Sequence, residues 1–441
     1  MKKIYLFIFL AYVVFFCLTL PSQTPDEQGH YEMVYWMSRF TYPWISFEKN
    51  SNFYGADESA LFNFGNENPA LMVNFKKIST SPLQYQTRYS PRQIQTFIPI
   101  SGQSYNPPLY YLFGAGFLKI AMWSKASLLQ QFYVVRLTSA LFYFATILVF
   151  EKIVKHFYPQ ERLQESMVLF FALNPLFMQS GIGISPDIAV TFFATLFLWM
   201  VLQKTKRETL RQPGDLVVLG LIAGLGALSK ISGFFLVPAF IIYLYFYGKN
   251  IRSWILASFV FGSTFILTQV PYLTLNWIRY HTFVVKDVAL GLVESNTYSI
   301  PAWKASLLSL ADFRHTIMHF SGFLGQNDVY PFAPVFILYT VVFCLCGSIG
   351  LYTLWKKKQQ VCYFLPLSTV SVFLFFFYLE FERKVYYHPG WGIGGRNILL
   401  IYPQLVLFVV MGLMVLLKKQ TTTATWLLKY FSIFYYKHIY I

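Results

Sequence analysis

The sequence predicts an all-α polytopic membrane protein, and three observations support this fold class. The chain has 441 residues, of which 56% are hydrophobic and 20% aromatic, and its mean hydropathy is +0.47. Only 12% of the residues are charged, whereas soluble domains have roughly 25%. The apolar runs have the length of membrane-crossing helices, about 20 residues, rather than that of barrel strands.

Basic residues between the apolar runs predict how the chain crosses the membrane. The 35 Lys and Arg residues outnumber the 19 Asp and Glu residues, for a formal charge of +16. In a soluble protein this excess indicates nucleic-acid binding, but here the basic clusters separate apolar runs and follow the positive-inside rule. We therefore expect a lipid bilayer, and no nucleic acid, as partner. The four cysteines lie in apolar runs and lack metal-ligand spacing.

The first apolar run, 4–20, follows two lysines and precedes no small-residue cleavage site, so it predicts an uncleaved first helix that leads outward. Residues 21–131 then form a long external loop. The apolar piece 107–123 is expected to be a juxtamembrane helix, since a crossing there would place the basic loop 151–162 outside.

The later apolar runs predict a transmembrane domain over residues 1–417, with about ten spans. Segment 215–247 is too long for one crossing, so we expect a hairpin that turns at Ser229-Lys230. The aromatic tail 418–441 is expected to be cytoplasmic or interfacial. Further external loops are expected at 275–332 and 380–396, and the other spans at 132–150, 165–184, 188–203, 253–274, 333–354, 361–379 and 398–417.

This topology places the polar stretches of the chain on the extracytoplasmic side. The cytoplasmic loops are short and basic, without a Gly-Lys-Ser/Thr loop or a Gly-x-Gly-x-x-Gly fingerprint. A reaction outside must use a substrate already present there, and a lipid-linked substrate fits best. The stretches surround Asp26-Glu27, Asp187, Lys230, Asp328 and Arg396.

The stretch after the first span has two compatible interpretations. In the structural one, Thr24, Pro25 and Glu27 form a capping box at a helix start. In the functional one, Asp26 is a partly shielded carboxylate that acts as general base toward an acceptor hydroxyl, with His30 one turn on to tune it.

Three later charged residues are also candidates. Asp187 is either the favoured acid of a helix start after Ser185-Pro186 or a second reactive carboxylate. Lys230 either snorkels to the bilayer edge or binds a phosphate. Arg396 follows four glycines within 390–395; glycines permit close approach to a ligand, and Arg binds phosphate bidentately.

Other polar segments of the sequence offer further candidates. His315 and His319 have helical spacing for two metal ligands but lack the Glu of a zinc-protease motif, so a metal-free pair is expected. The stretch Asn106-Pro107-Pro108-Leu109-Tyr110-Tyr111 is expected to stiffen the approach to the juxtamembrane helix. Tyr105 and Asp328 are expected to contribute to substrate binding.

These motifs together resemble the GT-C superfamily of membrane glycosyltransferases. Within it, the chain most resembles a bacterial family of membrane proteins of unknown function with a Pro-Asp-Glu-x-x-His stretch, here Pro25–His30. The family's Phe-x-Gly-x-Phe-Gly-like stretch is here Phe320–Gly325, with Phe323-Leu324 in place of a Trp-containing version. Its late Gly-Arg-Tyr is here Gly395-Arg396-Asn397, where Asn replaces the aromatic residue.

The resemblance implies a glycosyltransferase of the bacterial cell membrane that uses a polyprenyl-phosphate-linked sugar donor and a glycan, lipid or protein acceptor. By this analogy Asp26, or alternatively Glu27, is the base, and Asp187 is a second acid that orients the substrate or binds a divalent metal. Lys230 and Arg396 hold the donor phosphate, and His30 contributes to substrate binding.

Two functions from other classes remain as alternatives. A transporter or flippase predicts charges near span centres and repeated, broken helices, whereas the predicted spans are nearly free of charge and show no repeat. A non-catalytic membrane partner with the same fold predicts that Asp26 and Arg396 are dispensable for glycan formation.

Overall fold

The computed structural model describes residues 1–19, 21, 24, 26–39, 106–247, 250–280, 283, 301–310, 333–356, 360–386 and 395–440. Every regular element among these residues is a helix, as predicted. The first helices are α1 Lys2–Leu18, α2 Glu27–Arg39, α3 Leu109–Trp123, α4 Leu128–Phe157, α5 Glu161–Ala172, α6 Pro175–Ile182, α7 Pro186–Lys206 and α8 Pro213–Ser229. The later ones are α9 Leu236–Tyr247, α10 Ile251–Tyr280, α11 Ala333–Lys356, α12 Gln360–Tyr386, α13 Tyr402–Leu416 and α14 Thr421–Tyr440.

Among the described residues, five helical stretches are long and apolar enough to cross a membrane. They lie in α4, α7, α10 and α12, and in Arg396–Leu416, which joins a 3₁₀ helix, Gly395–Ile401, to α13. Shorter apolar stretches lie in α3, α8, α9 and α11. The all-α membrane fold is thus confirmed, while the count of about ten spans stays a prediction.

The stretch 165–184, predicted as one span, is broken into two helices. α5 ends at Ala172 and α6 begins at Pro175. The side chain of Asn174 caps α6 by accepting the Phe177 N–H at 3.0 Å. The prediction of one continuous helix is wrong because proline interrupts helical hydrogen bonding and favours the first turn of a new helix.

The hairpin predicted within 215–247 is confirmed. α8 ends at Ser229, and Lys230 is extended, with φ −156°. A 3₁₀ helix, Ile231–Phe235, then leads into α9. Gly233 lies against the backbone of α8, where a Cβ would come within 2.5 Å of the Ala227 nitrogen, so this turn requires glycine.

The helices that carry the polar residues pack around α7. This helix contacts α4, α8 and the 3₁₀ helix Gly395–Ile401, while α3 lies between α2 and α4. α11 and α13 cross closely, because Gly350 faces the backbone of Phe408 and Gly412 faces that of Cys346. Within the tail 418–441, α14 packs on α5, and its position relative to the membrane stays a prediction.

Candidate active site

Asp26 lies immediately before α2 in an unusual backbone conformation. Its φ is +58°, in the left-handed region that residues other than glycine seldom adopt, although Asp and Asn tolerate it best. Its carboxylate forms an ion pair with the guanidinium of Arg396, and 38% of the side chain is exposed. Strain of this kind often marks functional sites, so the backbone and the ion pair together single out Asp26.

The capping box predicted at the start of α2 is not formed. α2 begins at Glu27. The hydroxyl of Thr24 is buried and has no hydrogen-bond partner among the described residues. The Glu27 side chain points instead to α4, so this structural interpretation is wrong and a tertiary contact sets the helix start.

Glu27 forms a buried ion pair with Arg136 of α4. The Nε and Nη2 atoms of Arg136 donate to the two carboxylate oxygens at 2.7 and 2.8 Å, and both side chains are fully buried. Arg136 also donates to the Thr19 carbonyl. The Ile184 N–H donates to Glu27 Oε1 at 3.0 Å. Glu27 therefore connects α2, α4 and the segment before Asp187, and its hydrogen bonds engage both oxygens.

The second acid, Asp187, both belongs to the capped start of α7 and pairs with a cation of the site. Ser185 caps α7 by accepting the Asp187 N–H at 3.3 Å, and Pro186 occupies the first turn. The Asp187 carboxylate, 2% exposed, accepts a hydrogen bond from Lys230 Nζ at 2.5 Å. Lys230 also donates to Asn397 Oδ1 at 3.5 Å. Lys230 therefore points into the protein instead of snorkelling.

The two ion pairs form one site. Arg396 binds Asp26 and its chain neighbour Asn397 contacts Lys230, so the 3₁₀ helix Gly395–Ile401 links both pairs. Burial raises the pKa of Asp26, but the charge and the hydrogen bond of Arg396, together with the charge of Lys230, outweigh this effect and hold that pKa below its usual range. Asp26 is therefore ionised at neutral pH.

His30 lies one turn into α2 and is buried. Its Nδ1 is 2.8 Å from the hydroxyl of Tyr111. Burial lowers the pKa of His30 to about 3, with the charge of Asp26 opposing and that of Arg396 reinforcing this effect. The imidazole is therefore neutral at physiological pH.

Tyr110, on α3, supports the segment that carries Asp187. Its hydroxyl shares a hydrogen bond of 2.7 Å with Ser139, whose Oγ accepts the Ser185 N–H at 3.3 Å. The Pro-Pro-Leu-Tyr-Tyr stretch thus brings side chains into the site. The sequence alone predicts for this stretch only a stiff approach to the juxtamembrane helix.

The structure brings together Asp26, His30, Asp187, Lys230 and Arg396, while Glu27 belongs to the adjacent ion pair. Sequence reasoning did not nominate Arg136, Asn397 or Tyr111. The available signal for Arg136 was a charge at the start of an apolar run. Tyr105, Asp328, His315, His319, Phe320–Gly325 and residues 390–394 lie outside the described residues.

Whether the site holds a divalent metal stays a prediction. The described residues contain no group of three His, Cys, Asp or Glu side chains that could hold a metal ion. The two carboxylates of the site are each occupied by a cation, Arg396 or Lys230.

The family model described as "Predicted membrane protein (DUF2142)" matches residues 7–387. This match covers most of the chain and agrees with the family that the motifs resemble. No curated protein matches the sequence significantly.

Solved structures show a similar fold at 13% sequence identity. Apo ArnT from Cupriavidus metallidurans superposes with a TM-score of 0.50 over 93% of this chain and 59% of its own. The Archaeoglobus fulgidus oligosaccharyltransferase, tethered to an acceptor peptide, gives 0.51 over 98% of this chain and 53% of its own. ArnT bound to undecaprenyl phosphate gives 0.45 over 93% and 60%.

The predicted GT-C fold is confirmed by the first two similarities. The chain spans less than two thirds of the length of these solved proteins. At this identity the likeness establishes the fold alone.

Proposed function

The chain belongs to the DUF2142 family of predicted membrane proteins, and we propose that it is a membrane glycosyltransferase. It transfers a sugar from a polyprenyl-phosphate-linked donor to a glycan, lipid or protein acceptor of the cell envelope, on the extracytoplasmic face. The observation that carries this proposal is the pairing of two carboxylates with two cations in one site, Asp26 with Arg396 and Asp187 with Lys230.

The two cations suit the leaving group of such a donor. When the bond from the anomeric carbon to the phosphate oxygen breaks, negative charge develops on the polyprenyl phosphate. Arg396 and Lys230 neutralise that charge, so the leaving group needs no general acid. Arg396 is suited to the phosphate because its guanidinium presents two donors in parallel.

Donor binding would also activate Asp26. Without substrate, Arg396 is held by Asp26 and lowers the pKa of that carboxyl. A donor phosphate competes for the same guanidinium. Once Arg396 turns to the phosphate, its charge no longer offsets the effect of burial on Asp26 as strongly. The pKa of Asp26 therefore rises, and Asp26 becomes a better base.

The reaction then needs only groups on this chain and the two substrates. The acceptor hydroxyl oxygen attacks the anomeric carbon while Asp26 takes the hydroxyl proton. The sugar–phosphate bond breaks, and its electron pair leaves with the polyprenyl phosphate. Asp187 holds Lys230 and orients the substrate, and no step passes through a metal ion.

Glu27 has a different role in this proposal. Its carboxylate is engaged by Arg136 and by the Ile184 N–H. A proton taken by Glu27 would leave the buried Arg136 without a counter-charge, which is costly. We therefore assign Glu27 as a positioning residue that fixes Asp26 relative to Asp187.

The test is complementation of a deletion strain, followed by analysis of cell-envelope glycans and of the protein level in membranes. Asp26→Asn and Arg396→Gln are expected to abolish the glycan product at unchanged protein level. Arg252→Gln is the matched control, because Arg252 is exposed at the start of α10. Full decoration by both site variants would refute the enzyme and favour a non-catalytic partner.

A further inference from the structure

A chain of hydrogen bonds leads from the Asn106-Pro107-Pro108 turn to His30. The amide nitrogen of Asn106 donates to the Tyr111 hydroxyl at 3.1 Å. That hydroxyl lies 2.8 Å from His30 Nδ1. All three side chains are buried, with exposed fractions of 8% for Asn106, 0% for Tyr111 and 3% for His30. Their geometry is therefore fixed by the packing of α2 on α3.

The contact between Tyr111 and His30 allows two proton arrangements. Either the phenol donates to an unprotonated Nδ1, or a protonated Nδ1 donates to the phenol. The Asn106 amide already donates to the phenol oxygen. A hydroxyl that accepts a hydrogen bond is polarised and becomes a better donor, so the first arrangement is favoured.

The charges around His30 favour the same arrangement. Because Nδ1 points at Tyr111, Nε2 points to the other side of the ring. The charged groups that act on the imidazole are the carboxylates of Asp26 and Asp187 and the cations Arg396 and Lys230, and Asp26 has the largest effect of the four. A negative charge as the dominant neighbour favours an N–H over a lone pair on Nε2.

We propose that Asn106 and Tyr111 hold His30 as the neutral tautomer with its proton on Nε2, which makes His30 a hydrogen-bond donor and not a base. His30 is held one turn from Asp26, because its backbone N–H donates to the Asp26 carbonyl at 3.1 Å. Its Nε2–H is positioned to donate to the Asp26 carboxylate when Arg396 turns to a phosphate. His30 is thus a positioning residue, and this last role rests on the proposed function.

The tautomer is measured directly by nitrogen NMR of the full-length protein, labelled with ¹⁵N-histidine in lipid nanodiscs. The chain has seven histidines, and the His30 signals are identified by their loss in His30→Asn. The expected spectrum shows an unprotonated Nδ1 and a protonated Nε2, unchanged from about pH 8 to pH 5.

Tyr111→Phe removes the hydroxyl and keeps the ring, so it is expected to mix the two tautomers. The matched control is Tyr110→Phe, because Tyr110 is the adjacent buried tyrosine but bonds to Ser139; it should leave the His30 signals in place. A proton on Nδ1, or an imidazolium at neutral pH, would overturn the proposal, as would an unchanged spectrum in Tyr111→Phe.

This measurement is independent of the transferase reaction. The wild-type spectrum alone decides the tautomer, even if Tyr111→Phe fails to fold. An inactive protein with the Nε2–H tautomer would refute the transferase and leave the tautomer assignment intact. An active enzyme with the other tautomer would refute only the role of Asn106 and Tyr111.

Discussion

The buried ion pair between Glu27 and Arg136 gives a prediction that distinguishes a positioning residue from a catalytic one. Arg136→Met removes two hydrogen bonds to Glu27 and one to the Thr19 carbonyl. Within the described part of the chain, the Glu27 carboxylate then keeps only the hydrogen bond from the Ile184 N–H. A buried charge left without its partner typically costs about 3–5 kcal/mol, and we expect a loss of this size in the free energy of unfolding.

The converse variant, Glu27→Gln, leaves the positive charge of Arg136 without its carboxylate partner in the same fully buried place. It should therefore lower the free energy of unfolding by a similar amount. The double variant Glu27→Gln/Arg136→Met leaves no unpaired charge. Its total loss should be smaller than the sum of the single losses by about 2 kcal/mol or more, since contacting residues do not act additively.

The assay is denaturant unfolding of purified protein in mixed micelles, with all four proteins under the same conditions. Additive effects, or single losses below about 1 kcal/mol, would show that the ion pair is not the constraint described here. If Glu27→Gln abolished transfer without any loss of stability, Glu27 would be the base and the assignment to Asp26 would fail.

Three further predictions concern proton affinity and packing. In Arg396→Gln the effect of burial on Asp26 is less strongly offset, so the pKa of Asp26 should rise; the titration of its carboxyl group, followed by ¹³C NMR of aspartate-labelled protein, should move to higher pH. The pKa of His30 is about 3 in the folded chain, against an ordinary value of 6.5. Between pH 3 and pH 6.5, His30 therefore binds a proton in the unfolded chain but not in the folded one. The free energy of unfolding of the wild type should therefore fall as pH drops through this window, by up to about 1.4 kcal/mol per pH unit. Melting temperatures of the wild type and of His30→Gln, measured at several pH values, should converge in acid. Gly412→Ala puts a methyl group against a carbonyl oxygen of α11 and should destabilise by about 1–3 kcal/mol, whereas Gly262→Ala, which meets open space, should not.

Each of these predictions has an outcome that contradicts it. A titration of Asp26 that moves equally in Arg252→Gln would assign the shift to net charge. A wild-type protein whose melting temperature is flat from about pH 7 to pH 4 would mean that His30 titrates normally. Equal melting temperatures for the two alanine variants would show that α11 and α13 do not cross as closely as described.

Local signals predicted most of the helices because the chain is dominated by apolar runs, and helix is one of the few structures that satisfy the backbone inside a bilayer. The hairpin at Lys230 followed from length alone. The break at Asn174-Pro175 was missed because the run around it is uniformly apolar, although proline and a capping side chain are local signals.

The candidate site was partly predictable because charged residues are scarce in this sequence and costly near a bilayer. Asp26, Asp187, Lys230 and Arg396 were nominated from topology, and the structure places them together, while their roles stay predictions. Arg136 was not nominated, because its ion pair with Glu27 joins residues 109 positions apart and nothing in the local sequence predicts such a contact.

The sequence by itself determined that the chain is a helical membrane protein and which few charges lie at the ends of its apolar helices, because hydropathy and charge are properties of local composition. Only the tertiary structure decided which of two adjacent acids, Asp26 or Glu27, faces the cations of the site. Asp26 has a left-handed backbone conformation just before α2, whereas Glu27 is the first residue of that helix, so one carboxylate reaches Arg396 and the other is buried against Arg136. That choice depends on where α4 and the 3₁₀ helix Gly395–Ile401 pack.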